Sequence, residues 1–178
     1  IENRHLEKIP INNEFFKNNR SFSKLWNLFS KRHRQEKLND LESRIINSAL
    51  SLGESALTQD SRNSIIYTCI ALETLFSFDE GSLFQKSIGE KLADIFAFII
   101  AKDMESRLAA SKIVKKVYSM RSAIVHGGNQ RTSNENIAVN IYLRAAISEL
   151  LNNEKFKDIT KISHLHELLK MAQYSYKA

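Results

Sequence analysis

Glycine and proline punctuate folded chains, and this one has few of either: five glycines and one proline in 178 residues. Inside a helix they cost about 1 and 3 kcal/mol relative to alanine, so their scarcity favours long helices. The apolar residues repeat to match. From Asn39 onward, Leu41, Ile45, Ala49 and Leu52 recur at helical spacing. Asp60 or Ser61 can cap a second helix, Arg62 to Phe76, which Asp79-Glu80-Gly81-Ser82 breaks. A third carries Phe84, Ile88, Leu92, Ile95 and Ile99. Asp103 caps a fourth that runs to Val125 and is stopped by Gly127-Gly128. The polar stretch Asn129 to Asn134 precedes a fifth helix, Glu135 to Leu151. Thr160 caps a sixth, with Leu165, Leu168, Leu169 and Ala172 facing inward.

No strand-like alternation and no internal repeat interrupts this pattern. The expectation is an all-α chain: an up-and-down bundle of five to six core helices. Three regions follow: a basic, aromatic flank at 1–38, a helical core at 39–155 and a C-terminal helix within 156–178. In the flank, Pro10 marks an irregular start. Phe15, Phe16, Phe22, Trp26 and Phe29 then predict one or two short helices docked on the core. Lys31-Arg32-His33-Arg34 is a basic run that reads as a solvated helix face or as a phosphate contact.

A net charge of +6 leans toward polyanionic partners, although it is also an ordinary solubility feature. The lone Cys69 excludes an intramolecular disulfide and a four-thiolate zinc site, and points to a reducing, cytoplasmic compartment. No apolar run reaches the roughly 20 residues that span a bilayer, so no membrane partner is expected. The chain opens on Ile1 rather than Met, which reads as a trimmed or excised piece. No Gly-rich phosphate loop, paired-cysteine motif or HExxH is present, so no cofactor is expected. His164 and His166 are two residues apart and point to different helix faces, which disfavours a shared metal.

Two charges stand out. On the fourth predicted helix, Ile113, Val114, Val117, Tyr118, Met120, Ile124 and Val125 share one arc at roughly 100° per residue, and Arg121 falls near its middle. On the second, Ile66, Cys69, Ile70, Leu72 and Phe76 form the apolar arc, and Glu73 lies inside it. A charge on a buried face is costly unless paired, so Glu73 is expected to hold Arg121. The plainer reading is an ion pair without chemistry. His126 ends the same helix, where the dipole favours its protonated form. A histidine that changes charge near neutral pH suits acid–base work, or it merely caps the helix. Arg121 and His126 are about 140° apart around an ideal helix, so they converge only if the helix end distorts or Arg121 reaches along the axis. With ten arginines and five histidines, roughly 0.3 such pairs arise by chance at any one spacing. The context of the pair therefore matters more than its spacing.

Ile70-Ala71-Leu72-Glu73-Thr74-Leu75-Phe76, followed by Tyr118-Ser119-Met120-Arg121-Ser122-Ala123-Ile124-Val125-His126-Gly127-Gly128, resembles the Apea-like branch of the HEPN superfamily. Ile141-Tyr142-Leu143-Arg144-Ala145-Ala146-Ile147 resembles that branch's next helix, and the likeness covers roughly Ile65 to Leu151. It implies an HEPN-type bundle that dimerises so that two motifs face one cleft. It also implies a metal-independent endoribonuclease of a toxin–antitoxin or antiviral defence system, with an antitoxin or a fused defence domain as further partner. Some members are instead non-catalytic modules that dimerise and bind RNA or protein. Arg121 and His126 match the motif pair, Glu73 matches the acid of the second motif, and Ser122 fits the polar position after the arginine. Lys115, Lys116, Arg131 and Arg144 are candidate RNA-backbone contacts.

Overall fold

Capping chemistry sets where most of the helices begin. The computed structural model describes residues 11–78, 87–127 and 135–175. It contains α1 (Asn13–Asn18), α2 (Arg20–His33), α3 (Asp40–Leu57), α4 (Ser61–Phe76), α5 (Ile88–Ile100), α6 (Met104–Val125), α7 (Glu135–Asn152) and α8 (Ile162–Tyr174). A short 3-10 turn, Glu154–Phe156, precedes α8, and no strand occurs among the described residues. Asn39 with Glu42, and Ser87 with Glu90, form capping boxes for α3 and α5. The Asp60 side chain accepts the Arg62 N–H, and that of Asp103 accepts the Ser106 N–H. The all-helical expectation holds, and the helices from Asn39 onward fall close to their predicted positions.

The basic, aromatic flank forms two helices with a break at Asn19, within the one or two expected. Two details differ. Helix α5 begins at Ile88, and Phe84 lies outside the described residues. Thr160 does not cap α8. Lys161 holds the cap position without a side-chain bond, and the Asp40 carboxylate from α3 accepts the Ile162 N–H at 2.8 Å. A residue far away in sequence has taken the capping role, which no local pattern reveals.

Asp40 also accepts a bond from Arg44 Nε at 2.9 Å. Partial burial pushes its carboxyl upward, but the Ile162 N–H and the Arg44 guanidinium outweigh that and hold it below the usual range. A depressed folded-state pKa means the unfolded chain binds more protons. The stability that Asp40 contributes is therefore present at neutral pH and lost as the pH falls through the acidic carboxylate range. Asp40→Asn is expected to lower stability at pH 7 and to flatten the acid limb. Urea midpoints measured from pH 7 down to 3 check this, and an unchanged limb would refute it.

Two antiparallel hairpins build the core. In α3–α4, the Ser48 hydroxyl donates to the Ala71 carbonyl, and the Ser55 hydroxyl donates to that of Ser64. In α5–α6, Gly89 near the start of α5 meets Tyr118 late in α6, and Arg107 early in α6 donates to Ala101. Helices α4 and α6 run side by side in the same sense, since Cys69 pairs with Val117 and Glu73 with Arg121. Helix α7 packs on both hairpins: Asn136 donates to Ser64 and Asn140 to Ser55 in the first, and α7 also meets α5 and α6 of the second. The apolar centre includes Phe76, Phe96, Leu72, Ile95, Leu143 and Leu165, all essentially buried. Helix α2 docks on this core through Leu28 and through a Lys24 bond to the Leu151 carbonyl.

Candidate active site

The last turns of α4 and α6 carry the two charges that the helical wheels placed on apolar arcs. Arg121 Nη2 lies 3.8 Å from Glu73 Oε1. They are ion-paired, as expected, but too far apart for a direct hydrogen bond. Nor are they fully buried: the side chains are 33% and 30% exposed. Ile70 and Val125, expected on the inward arcs, face water. The apolar arcs are broader than the seams that the neighbouring helices cover, and the charges sit at the edge of that cover.

The close partner of Glu73 is Tyr118, whose hydroxyl donates to Oε1 at 2.8 Å. Tyr118 is one turn before Arg121, and the guanidinium carbon lies 5.8 Å from the centre of its ring. Gly89, buried in the first turn of α5, leaves the room this ring occupies: a Cβ there would come within 2.9 Å of Tyr118 Cδ1. Tyr118 thus joins α4, α5 and α6 at one point. The wheel placed it on the inward arc but did not distinguish it from an ordinary core aromatic. Its place three residues before Arg121 was the available signal, since such residues are neighbours on a helix.

Burial first, and the bond to the Glu73 carboxylate second, push the Tyr118 hydroxyl up to about 12. The stability it contributes is complete below the ordinary tyrosine range near pH 10. It falls as the pH rises and is gone once the folded-state group ionises near 12. Ultraviolet titration of wild type against Tyr118→Phe isolates this tyrosine from the other four. In Glu73→Gln the Tyr118 midpoint is expected to move down, and a midpoint that stays put would refute the coupling. Cys69, buried beside this cluster, is pushed up to about 12, first by burial and then by Glu73, so its thiol stays protonated and unreactive at neutral pH.

Arg121 makes no hydrogen bond among the described residues. Its guanidinium donors are held in position by an ion pair and remain available to an anion. His126 is the C-cap of α6, exposed, with its N–H donating to Ser122 O as in a continuing helix. The left-handed turn comes one residue later, at Gly127 with φ of +77°, a conformation glycine adopts without strain. The helix end therefore does not distort before His126, and the offset of roughly 140° from Arg121 persists within one chain. Ser122 is half-buried beside them, its backbone carbonyl taken by His126.

The remaining candidates scatter. Lys115 lines a shallow groove of about 560 Å³ with Tyr118, Ser119 and the start of α5, close to the site. Lys116 pairs with Glu135 instead. Arg144 donates to Asn140 and lines a separate groove of about 300 Å³ between α2, α3 and α7, to which α4 and α6 contribute nothing. Arg144 therefore shares no groove with Arg121, because its side of α7 packs toward α2. Arg131 lies outside the described residues. His166 is buried with Nε2 on the Phe76 carbonyl, whereas His164 is exposed, so the pair does point to different faces.

No family model, curated protein or solved structure matches the chain. The arrangement itself defines the chemistry on offer. A guanidinium with free donors can bind an anionic oxygen, a carboxylate locked by a tyrosine holds it in place, and an exposed imidazole stands at the same helix end. No helix among the described residues is long and apolar enough to cross a membrane.

Proposed function

We propose that this chain is an HEPN-type endoribonuclease, working as a homodimer in a defence or toxin setting and needing no metal ion. The observation that carries the reading is the Arg121 guanidinium, held beside Glu73 without a hydrogen bond, on the helix that ends in exposed His126.

RNA brings its own nucleophile. The 2′-hydroxyl oxygen attacks the adjacent phosphorus as a general base takes its proton, and the bond to the 5′-oxygen breaks as a general acid protonates that oxygen. Arg121 neutralises the non-bridging oxygens, where its planar fork suits phosphate. One His126 acts as base and the other copy's as acid. The products carry a 2′,3′-cyclic phosphate and a 5′-hydroxyl. Two copies supply what one lacks, because Arg121 and His126 diverge around a single helix. Exposed Val125, next to His126, is an apolar element for such an interface.

The test is incubation of RNase-free protein with total RNA in chelator, followed by mapping of the cut ends. Cyclic phosphate ends are expected. No cleavage by dimeric, folded protein would leave the second reading, a non-catalytic module of the same kind that dimerises and binds RNA or a protein partner. The ion pair that already partly neutralises Arg121 favours that second reading. A strict monomer on sizing chromatography would refute the two-copy mechanism.

A further inference from the structure

We infer that α1 and α2 form a stacking platform for single-stranded RNA, separate from the Arg121 cluster. The inference rests on the proposed function for the choice of RNA, but not for the existence of the platform.

Four aromatic rings from these two short helices gather at the surface. Phe16 meets Trp26 edge-on at 5.8 Å, and Phe15 meets Phe22 at 4.9 Å. The rings of Phe22 and Trp26 lie near parallel, at 19°. Trp26 is thus fixed from two sides, yet 52% of it stays in water. A large aromatic held rigid and half open offers aromatic surface at little entropic cost, and such surface is what a nucleobase stacks on.

Charge points the same way. Residues 11–38 hold seven lysines and arginines against two glutamates, nearly all of the chain's excess of +6. Lys31 and Arg34 are paired with glutamates. Lys17 and Arg20 have no partner among the described residues, and Lys24 and Arg32 bond neutral oxygens of Leu151 and Asn47. Phe22 also forms part of the groove lined by Arg144, with Lys24 bonded to the Leu151 carbonyl on that groove's wall. Aromatics on a flank that also carries unneutralised cations fit a strand whose bases are splayed out and whose phosphates follow. A bilayer fits less well. The apolar residues of α2 that would have to insert, Leu25, Leu28 and Phe29, are already packed on the core.

Trp26 is the only tryptophan, so its fluorescence reads the platform directly. The full chain carrying His126→Ala, which removes the proposed base, is titrated with a 12-nucleotide single-stranded RNA, the matching duplex, polyphosphate and phosphatidylserine vesicles. Quenching by the single strand alone is expected. Anisotropy of the labelled strand then gives affinities for added Trp26→Ala, Phe22→Ala and Trp26→Tyr. The first two are expected to weaken binding by about ten-fold or more, the scale of one lost stack, and Trp26→Tyr to restore most of it. Circular dichroism and thermal melting confirm that each variant is folded. Equal affinity in folded Trp26→Ala would overturn the platform, as would equal quenching by duplex, polyphosphate or vesicles. Platform binding without cleavage by the His126-intact chain refutes only the nuclease reading. Cleavage with unchanged binding in Trp26→Ala refutes only the platform.

Discussion

His126→Ala and Arg121→Ala are each expected to reduce RNA cleavage by about 100- to 10,000-fold while leaving the fold intact. That is the range for removing a positioned acid–base group or a preorganised charge donor. Both side chains lie at the edge of the bundle, His126 exposed and Arg121 one-third exposed, so little packing is lost with either. Arg121→Lys keeps the charge but not the fork, and is expected to recover little. The double variant should be no worse than the more damaging single one, because groups that act on one transition state are not additive. Initial rates on a defined RNA, with thermal melts as a control for folding, measure all four. If His126→Ala cleaves as fast as wild type, the nuclease assignment to this motif is wrong.

Gly89→Ala is expected to destabilise the protein by about 1–3 kcal/mol, the usual cost of overpacking a filled site. The sign is informative. Alanine in place of a helical glycine ordinarily gains about 0.5–1 kcal/mol. Here the added methyl meets Tyr118 Cδ1 at 2.9 Å, inside any normal contact. The ring cannot yield freely, since its hydroxyl is bonded to Glu73. Moving it breaks that bond, loosens the carboxylate beside Arg121 and brings the Tyr118 hydroxyl down from about 12. Urea unfolding gives the stability, alkaline titration gives the tyrosine, and cleavage rates should fall with both. Equal or greater stability in Gly89→Ala would show that the ring has somewhere to go.

The motif helix was legible end to end. Its N-cap Asp103, its last residue Val125 and the stop at Gly127 follow from capping chemistry and glycine's left-handed conformation, which act within a few residues. The span of α4 was legible to within one residue for the same reason, with Asp60 and Ser61 as alternative caps, of which Asp60 holds the position. The pairing of Glu73 with Arg121 could be anticipated because each interrupts an apolar arc, and opposite charges on facing arcs have few other solutions. Tyr118 could not be singled out: a tyrosine on an apolar arc looks the same whether or not its hydroxyl has a partner.

By itself, then, the sequence determined the helices, most of their ends and the two charges that had to meet. The helices and their ends depend on interactions between residues three or four apart, and each charge shows itself by interrupting the apolar arc of its own helix. The tertiary structure decided the rest. It put Asp40 rather than Thr160 at the start of α8, turned Arg144 toward α2, and wedged Tyr118 between Gly89 and Glu73. It also kept the helix regular to its end, so that Arg121 and His126 diverge around it. Contacts between residues tens of positions apart depend on how whole helices pack, and the local spacing of residues does not encode that packing.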